Sequence, residues 1–123
     1  MIPYGEVIHD HSRRPRNVGS LDAPDIRREG FNPFCGDRVR VELALGTDGT
    51  VQAARFQGDL CVIAKAAASV LTELVIGLPI EGARDLPEGR LLEALGAEIQ
   101  PARRKCALLA FETLQSGIKE SGR

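Results

Sequence analysis

The most regular segment of this sequence reads Arg38-Val39-Arg40-Val41-Glu42-Leu43-Ala44-Leu45. Apolar and polar side chains alternate along it, and a period of two residues is typical of a strand with one buried face. The segment Thr47-Asp48-Gly49-Thr50 follows, in which the Asp-Gly pair tolerates the positive φ angles of a tight hairpin turn. A second strand over residues 51–57, ended by Gly58, therefore completes a predicted β-hairpin.

A helical period replaces the alternation after the hairpin. From Val62 onward apolar residues recur three and four positions apart, which predicts a helix. The same period predicts a short helix over residues 89–95 and a long one over residues 102–118. Upstream of the hairpin we expect a helix over residues 4–11 and a strand over residues 26–31. The main strands precede the main helices, so the sequence predicts an α+β fold, a small antiparallel sheet with helices packed on one face.

Length and composition predict one domain, residues 1–123. No apolar run approaches the ~20 residues of a membrane-spanning helix, and the first residues lack the apolar stretch of a signal peptide, so we expect a cytoplasmic protein that does not enter the membrane. A net charge of −1 provides no overall field for nucleic acid. The cluster of Arg13, Arg14 and Arg16 lacks interleaved aromatic residues, which favours solubility or protein docking over phosphate binding.

The chemistry of the chain centres on three cysteines, Cys35, Cys61 and Cys106. An odd number of cysteines without a secretion signal argues against a disulfide framework. Cys35 lies in a loop rich in glycine and proline, whereas Cys61 and Cys106 lie at or near predicted helix N-termini, whose partial positive charge would stabilise thiolates. Together with the Asp37 carboxylate they make four ligands, the number that a tetrahedral zinc or iron–sulfur site requires.

Simpler interpretations of the same residues stand beside this one. Each cysteine taken alone could be a small buried apolar side chain, and Asp37 could cap a turn. One carboxylate among three thiolates is a harder and more exchangeable ligand, which indicates a site built to open. His9 and His11 would face opposite sides of a helix, so we expect packing or surface roles for them. Without a Cys–His pair nearby in sequence, the chain is not expected to be an enzyme with a reactive cysteine.

Several motifs, taken in order, resemble the IscU/SufU/NifU scaffold proteins of iron–sulfur cluster assembly. The segment Asp10-His11-Ser12-Arg13-Arg14-Pro15-Arg16-Asn17-Val18-Gly19 resembles the family pattern D-H-x-x-x-P-R-N-x-G. The segment Asn32-Pro33-Phe34-Cys35-Gly36-Asp37 resembles N-P-x-C-G-D, and Lys105-Cys106-Ala107-Leu108-Leu109-Ala110 resembles the segment of the third cysteine. The resemblance covers nearly the whole chain.

This resemblance implies a three-stranded sheet and metal binding by Cys35, Asp37, Cys61 and Cys106. It also implies that a cysteine desulfurase delivers persulfide sulfur to these thiols. The scaffold would then build a [2Fe–2S] cluster and pass it to apo-proteins, or act as a zinc-dependent sulfur acceptor with the sulfurtransferase activity of the SufU-like branch. A diverged, zinc-stabilised interaction module without cluster transfer is the remaining alternative.

The chain departs from the family pattern at four positions. Leu60 replaces a glycine before the second cysteine, and Ala64 and Ala67 replace serines after it. Lys105 stands where the IscU branch has histidine, as in the SufU branch, yet the stretch between the second and third cysteines is shorter than SufU proteins usually have. Both branches therefore stay open at this point, as do the metal, the thiol that first accepts sulfur and the oligomeric state.

Overall fold

A computed structural model describes residues 5–123, and in this part of the chain five helices and three strands follow one another. Their bounds are Gly5–Arg13 (α1), Ile26–Asn32 (β1), Asp37–Leu45 (β2), Val51–Asp59 (β3), Val62–Val75 (α2), Ile80–Arg84 (α3), Glu88–Leu95 (α4) and Pro101–Glu120 (α5). Every predicted strand and helix is present, except that Tyr4 of the first predicted helix lies outside the described residues.

The three strands form one antiparallel sheet in the order β1-β2-β3. Val39, Val41 and Leu43 of β2 are buried, as the alternating pattern predicted. Helix α5 packs on β1 and β2, and α2 packs on β3, so both cover the apolar side of the sheet. The predicted α+β fold with a three-stranded antiparallel sheet is confirmed. None of the helices in the described residues is long and apolar enough to span a bilayer.

Two details of the predicted elements are wrong. Strand β3 does not stop at Gly58 but continues to Asp59, because a glycine there lets the chain approach β2 closely. A Cβ atom at this position would lie 1.9 Å from the carbonyl oxygen of Arg38. Helix α3 was not predicted, since its five residues are too few to show a helical period. Its Ile80 and Ala83 nevertheless contribute to the core.

The N-terminal motif docks α1 and the following loop onto α2. The ring Nδ1 of His11 lies 2.7 Å from the Ser69 hydroxyl, which also accepts the backbone N–H of Arg16 at 2.8 Å. The side-chain amide of Asn17 donates to the Thr72 hydroxyl at 2.9 Å. The packing role expected for His11 is therefore confirmed, and the motif holds two segments of the chain together.

The second ring nitrogen of His11, Nε2, also faces helix α2. That nitrogen is 3.5 Å from a carboxylate oxygen of Glu73. His11 therefore contacts two polar residues of α2, the fully buried Ser69 and the partly exposed Glu73.

The burial of His11 predicts a stability that depends on pH. Burial lowers the pKa of His11 below its usual 6.5, and the charge of Arg16 lowers it further, against the opposing influence of Glu73 and Asp10. The unfolded chain therefore binds more protons than the folded one below pH 6.5, and the free energy of unfolding should fall as the pH drops from 7.5 to about 5.5.

Urea unfolding at the two pH values measures this dependence. The variant His11→Gln should lose part of it, whereas His9→Gln, a change at an exposed histidine of the same helix, should keep it. An equal pH dependence in the wild type and in His11→Gln would contradict the assignment.

Candidate metal centre

The connection between β1 and β2 presents Cys35 at one end of the sheet. Asn32 and Asp37 face each other as the last pair of the two strands. The side-chain oxygen of Asn32 accepts a hydrogen bond from the backbone N–H of Phe34 at 3.1 Å. The backbone carbonyl of Asn32 accepts one from the N–H of Gly36 at 2.8 Å. Gly36 has a φ of +75°, which glycine adopts without strain. The loop is consequently tight, and Cys35 at its tip is exposed.

Three of the four predicted ligands meet beneath this loop. The Cys35 thiol donates to Oδ2 of Asp37, with 3.1 Å between sulfur and oxygen. The sulfurs of Cys35 and Cys106 are 3.2 Å apart, although 71 residues separate them in the chain. One ligand atom from each of the three residues lies within 4.8 Å of the others. This is the arrangement that a shared ion needs.

Cys61 reaches the same place through its backbone. Its N–H donates to Oδ1 of Asp37 at 3.0 Å, so both oxygens of this buried carboxylate are bonded. Its sulfur accepts the N–H of Ala64 at 3.4 Å and thereby caps helix α2. The Cys61 sulfur lies outside the compact group of three.

The expected stabilisation of the Cys106 thiolate by a helix end is wrong. Burial is the largest of the causes that together raise the pKa of the Cys106 thiol to about 12, followed by the hydrogen bond with Cys35 and the nearby charges of Cys61, Cys35 and Asp37. Cys106 lies in the second turn of α5, where it is 4% exposed, beyond the first turn in which a helix end acts strongly. Without metal, Cys106 is therefore a neutral thiol that donates to Cys35.

The donor set fits zinc. Structural zinc takes four ligands in a tetrahedron, with sulfurs about 2.3 Å from the ion and hence about 3.8 Å from one another. The present 3.2 Å between Cys35 and Cys106 would have to lengthen only slightly. A bound cation would hold both sulfurs as thiolates, and its binding would release their protons. Neither His9 nor His11 belongs to the compact group, in agreement with the roles expected for them.

The positions that depart from the family pattern lie beside these ligands. Ala64 and Ala67 are almost fully buried, so serine hydroxyls there would need buried hydrogen-bond partners. Leu60 is half-buried and packs against the core. Lys105 is exposed, and its ammonium nitrogen lies 4.5 Å from the centre of the Phe34 ring.

Sequence reasoning assigned no role to Asn32 or Phe34. The Asn32 amide nitrogen lies 4.0 Å from the Cys106 sulfur, the limit of an N–H···S contact, and Asn32 is 5% exposed. The Asn-Pro pair was an available signal, because such pairs favour turn initiation. A cavity of about 470 Å³ opens between this loop and the start of α5, and it is lined by Cys35 and Cys106 among others.

Comparison with known proteins supplies an independent line of evidence. The family described as NifU-like N-terminal domain matches residues 3–122. The zinc-dependent sulfurtransferase SufU of Bacillus subtilis is 38% identical over 137 aligned positions, which cover 97% of this chain and 92% of that protein. The iron–sulfur cluster assembly scaffold protein IscU of Thermotoga maritima is 34% identical over 136 positions, which cover 98% and 95%.

A third relative is much longer. The bifunctional protein NifU/MnmA of Rubrobacter xylanophilus is 35% identical over 117 residues, which cover 95% of this chain. The matched region is 24% of that protein, so the chain spans about a quarter of its length.

The different surroundings of the thiols predict an order of reactivity. In chelator-treated protein at pH 8, iodoacetamide should modify Cys35 at least about tenfold faster than Cys106, because Cys35 is exposed and Cys106 is buried and protonated. Peptide mass spectrometry over time measures both rates. In 8 M urea the two rates should converge. Equal rates in the folded protein would show that Cys106 is not shielded as described.

Proposed function

Because the chain belongs to the family of the NifU-like N-terminal domain, we propose that it is an iron–sulfur cluster assembly scaffold that accepts persulfide sulfur from a cysteine desulfurase. It holds zinc or a [2Fe–2S] cluster through Cys35, Asp37, Cys61 and Cys106. The observation that carries this proposal is the meeting of two thiols and a buried carboxylate within 4.8 Å, from distant parts of the chain.

Exposure makes Cys35 the first sulfur acceptor in this proposal. In the transfer step the Cys35 thiolate attacks the outer sulfur of the desulfurase persulfide, a new S–S bond forms on Cys35, and the desulfurase thiolate leaves. Asp37 already accepts the Cys35 thiol proton in a hydrogen bond and so orients the nucleophile. Cys106 is buried and neutral, which suits it to completing the site after sulfur or metal has arrived.

A zinc-dependent sulfur acceptor of the SufU kind is the second candidate. Lys105 before the third cysteine and the 38% identity to SufU support it. The alignments with SufU and with the IscU of Thermotoga maritima span 137 and 136 positions against 123 residues here, whereas alignments with other IscU proteins span 122 or 123, so alignment length does not favour SufU over IscU. In both candidates the chain carries sulfur or a cluster to apo-proteins and is not a conventional enzyme. These partners and a cytoplasmic location stay predictions.

The ligand set predicts how metal binding responds to substitution. Purified protein should bind about one zinc ion per chain, and Cys35→Ser or Cys106→Ser should weaken zinc binding by at least about tenfold. Competition with a chromophoric chelator measures the affinity. The variant Asp22→Asn removes an exposed carboxylate away from the group and should leave it unchanged. Full affinity in both cysteine variants would remove these thiols from the site.

Sulfur transfer has its own readout. After incubation with a cysteine desulfurase and cysteine, the peptide containing Cys35 should gain one sulfur atom, detected by mass spectrometry without reduction. The variant Cys35→Ser should not gain it at that position, and a reaction without cysteine is the blank. A zinc-loaded protein that never gains sulfur on any thiol would instead support the alternative of a zinc-stabilised interaction module.

A further inference from the structure

Hydrogen bonds at Asn32 close the loop that carries Cys35 on itself, but they do not join its exposed side chains to α5. Residues 33–36 are all exposed, and Phe34 is 81% exposed although it is a large apolar side chain. The Cys35 side chain itself contacts the rest of the site through two sulfur hydrogen bonds, which are weak compared with bonds between nitrogen and oxygen. A further contact between this loop and α5 therefore has a large influence on where Cys35 lies.

That contact is made by Lys105. Its ammonium nitrogen stands 4.5 Å from the centre of the Phe34 ring, well inside the range of a cation–π interaction. At an exposed position such an interaction favours the closed arrangement by about two- to fivefold in population. The size of this effect suits a contact that has to form and break readily.

The order of the residues couples this contact to the candidate centre. Phe34 directly precedes Cys35 in the loop, and Lys105 directly precedes Cys106 in α5. The contact between Phe34 and Lys105 therefore lies beside the 3.2 Å approach of the Cys35 and Cys106 sulfurs. The same movement of the loop opens both. Lys105 is also one of the positions at which this chain departs from the IscU pattern, which gives that departure a physical role.

We propose that Lys105 is a positioning residue that holds Cys35 in the candidate centre by its contact with the Phe34 ring. While the contact is made, the Cys35 sulfur lies with Asp37 and Cys106; when it breaks, Cys35 moves away from α5 into solvent. The second half of this inference rests on the proposed function, because an open loop is the state in which Cys35 reaches a partner's persulfide.

A double-mutant cycle tests the contact itself. Phe34→Leu removes the ring face without changing charge, Lys105→Gln removes the charge without adding a sulfur that could bind the ring, and the third variant combines both. The readout is the iodoacetamide rate at Cys35 divided by the rate at Cys61 in the same chelator-treated molecules, from peptide mass spectrometry. Any purely electrostatic effect of Lys105→Gln on thiol reactivity occurs in both backgrounds and cancels in the cycle.

Phe34→Leu should raise the ratio about two- to fivefold when Lys105 is present and leave it unchanged in the Lys105→Gln background. Lys105→Arg should behave as the wild type, because a guanidinium also binds an aromatic face. Lys119→Met removes the same charge from the last turn of α5 and should leave the effect of Phe34→Leu intact.

A second measurement reports the position of Cys35 directly. In a glutathione redox buffer Cys35 and Cys106 form one disulfide as oxidised glutathione is reduced to two thiols. The equilibrium constant of this reaction rises with the fraction of time that the two sulfurs lie close together. Phe34→Leu should lower this constant about two- to fivefold in the presence of Lys105 only. Urea unfolding of each variant verifies that the fold is retained.

Equal effects of Phe34→Leu in both backgrounds, in both measurements, would overturn the proposal. So would Lys105→Arg behaving as Lys105→Gln. Neither measurement contains a metal ion or a desulfurase, so a failure to bind zinc or to gain sulfur would sink the proposed function and leave this result standing. The converse also holds, since a cycle without coupling would leave metal binding and sulfur transfer untouched.

Discussion

The buried carboxylate of Asp37 is the interaction on which the candidate centre depends. It stands at the first position of β2 and accepts one hydrogen bond from the backbone of Cys61 and another from the Cys35 thiol. Asp37 is 5% exposed, and burying a carboxylate is costly unless its oxygens accept hydrogen bonds. These hydrogen bonds therefore fix the positions of the two segments that donate them. One oxygen of Asp37 also lies within 4.8 Å of the Cys106 sulfur. A single side chain thus joins the loop, the start of α2 and α5.

The sheet explains why such distant residues meet. In the antiparallel register Asn32 faces Asp37 and Arg38 faces Asp59, so the β1–β2 loop and the end of β3 lie at the same end of the sheet. Cys35 belongs to that loop and Cys61 follows β3 directly, which places both at one edge without any long connection. Helix α5 packs across β1 and β2 and brings its early turns, including Cys106, to the same edge. Close approach of β2 and β3 there requires Gly58.

The metal-free and the proposed metal-bound states of the site differ in the protonation of its thiols. In the absence of a cation, burial and neighbouring negative charge keep Cys106 neutral, and the thiols satisfy one another by hydrogen bonds to Asp37 and to sulfur. A cation reverses this balance because it stabilises thiolates, so metal binding and proton release accompany each other. Cys35 differs from its neighbours because it is exposed and lies on a short loop. It is therefore the ligand best placed to alternate between the centre and a partner.

Local patterns in the sequence were enough to predict β2, the hairpin turn, α2 and α5, because alternation and helical period are properties of a short window of residues. The three cysteines and Asp37 predicted a ligand set, and the resemblance named the family and implied the same four ligands. The tertiary structure alone showed that β3 passes Gly58, that Cys106 is buried where the pKa of its thiol is raised, and that Lys105 contacts Phe34. Each of these depends on residues that lie far apart in the chain. Burial, desolvation and contact arise from how elements pack, and no window of sequence contains both partners.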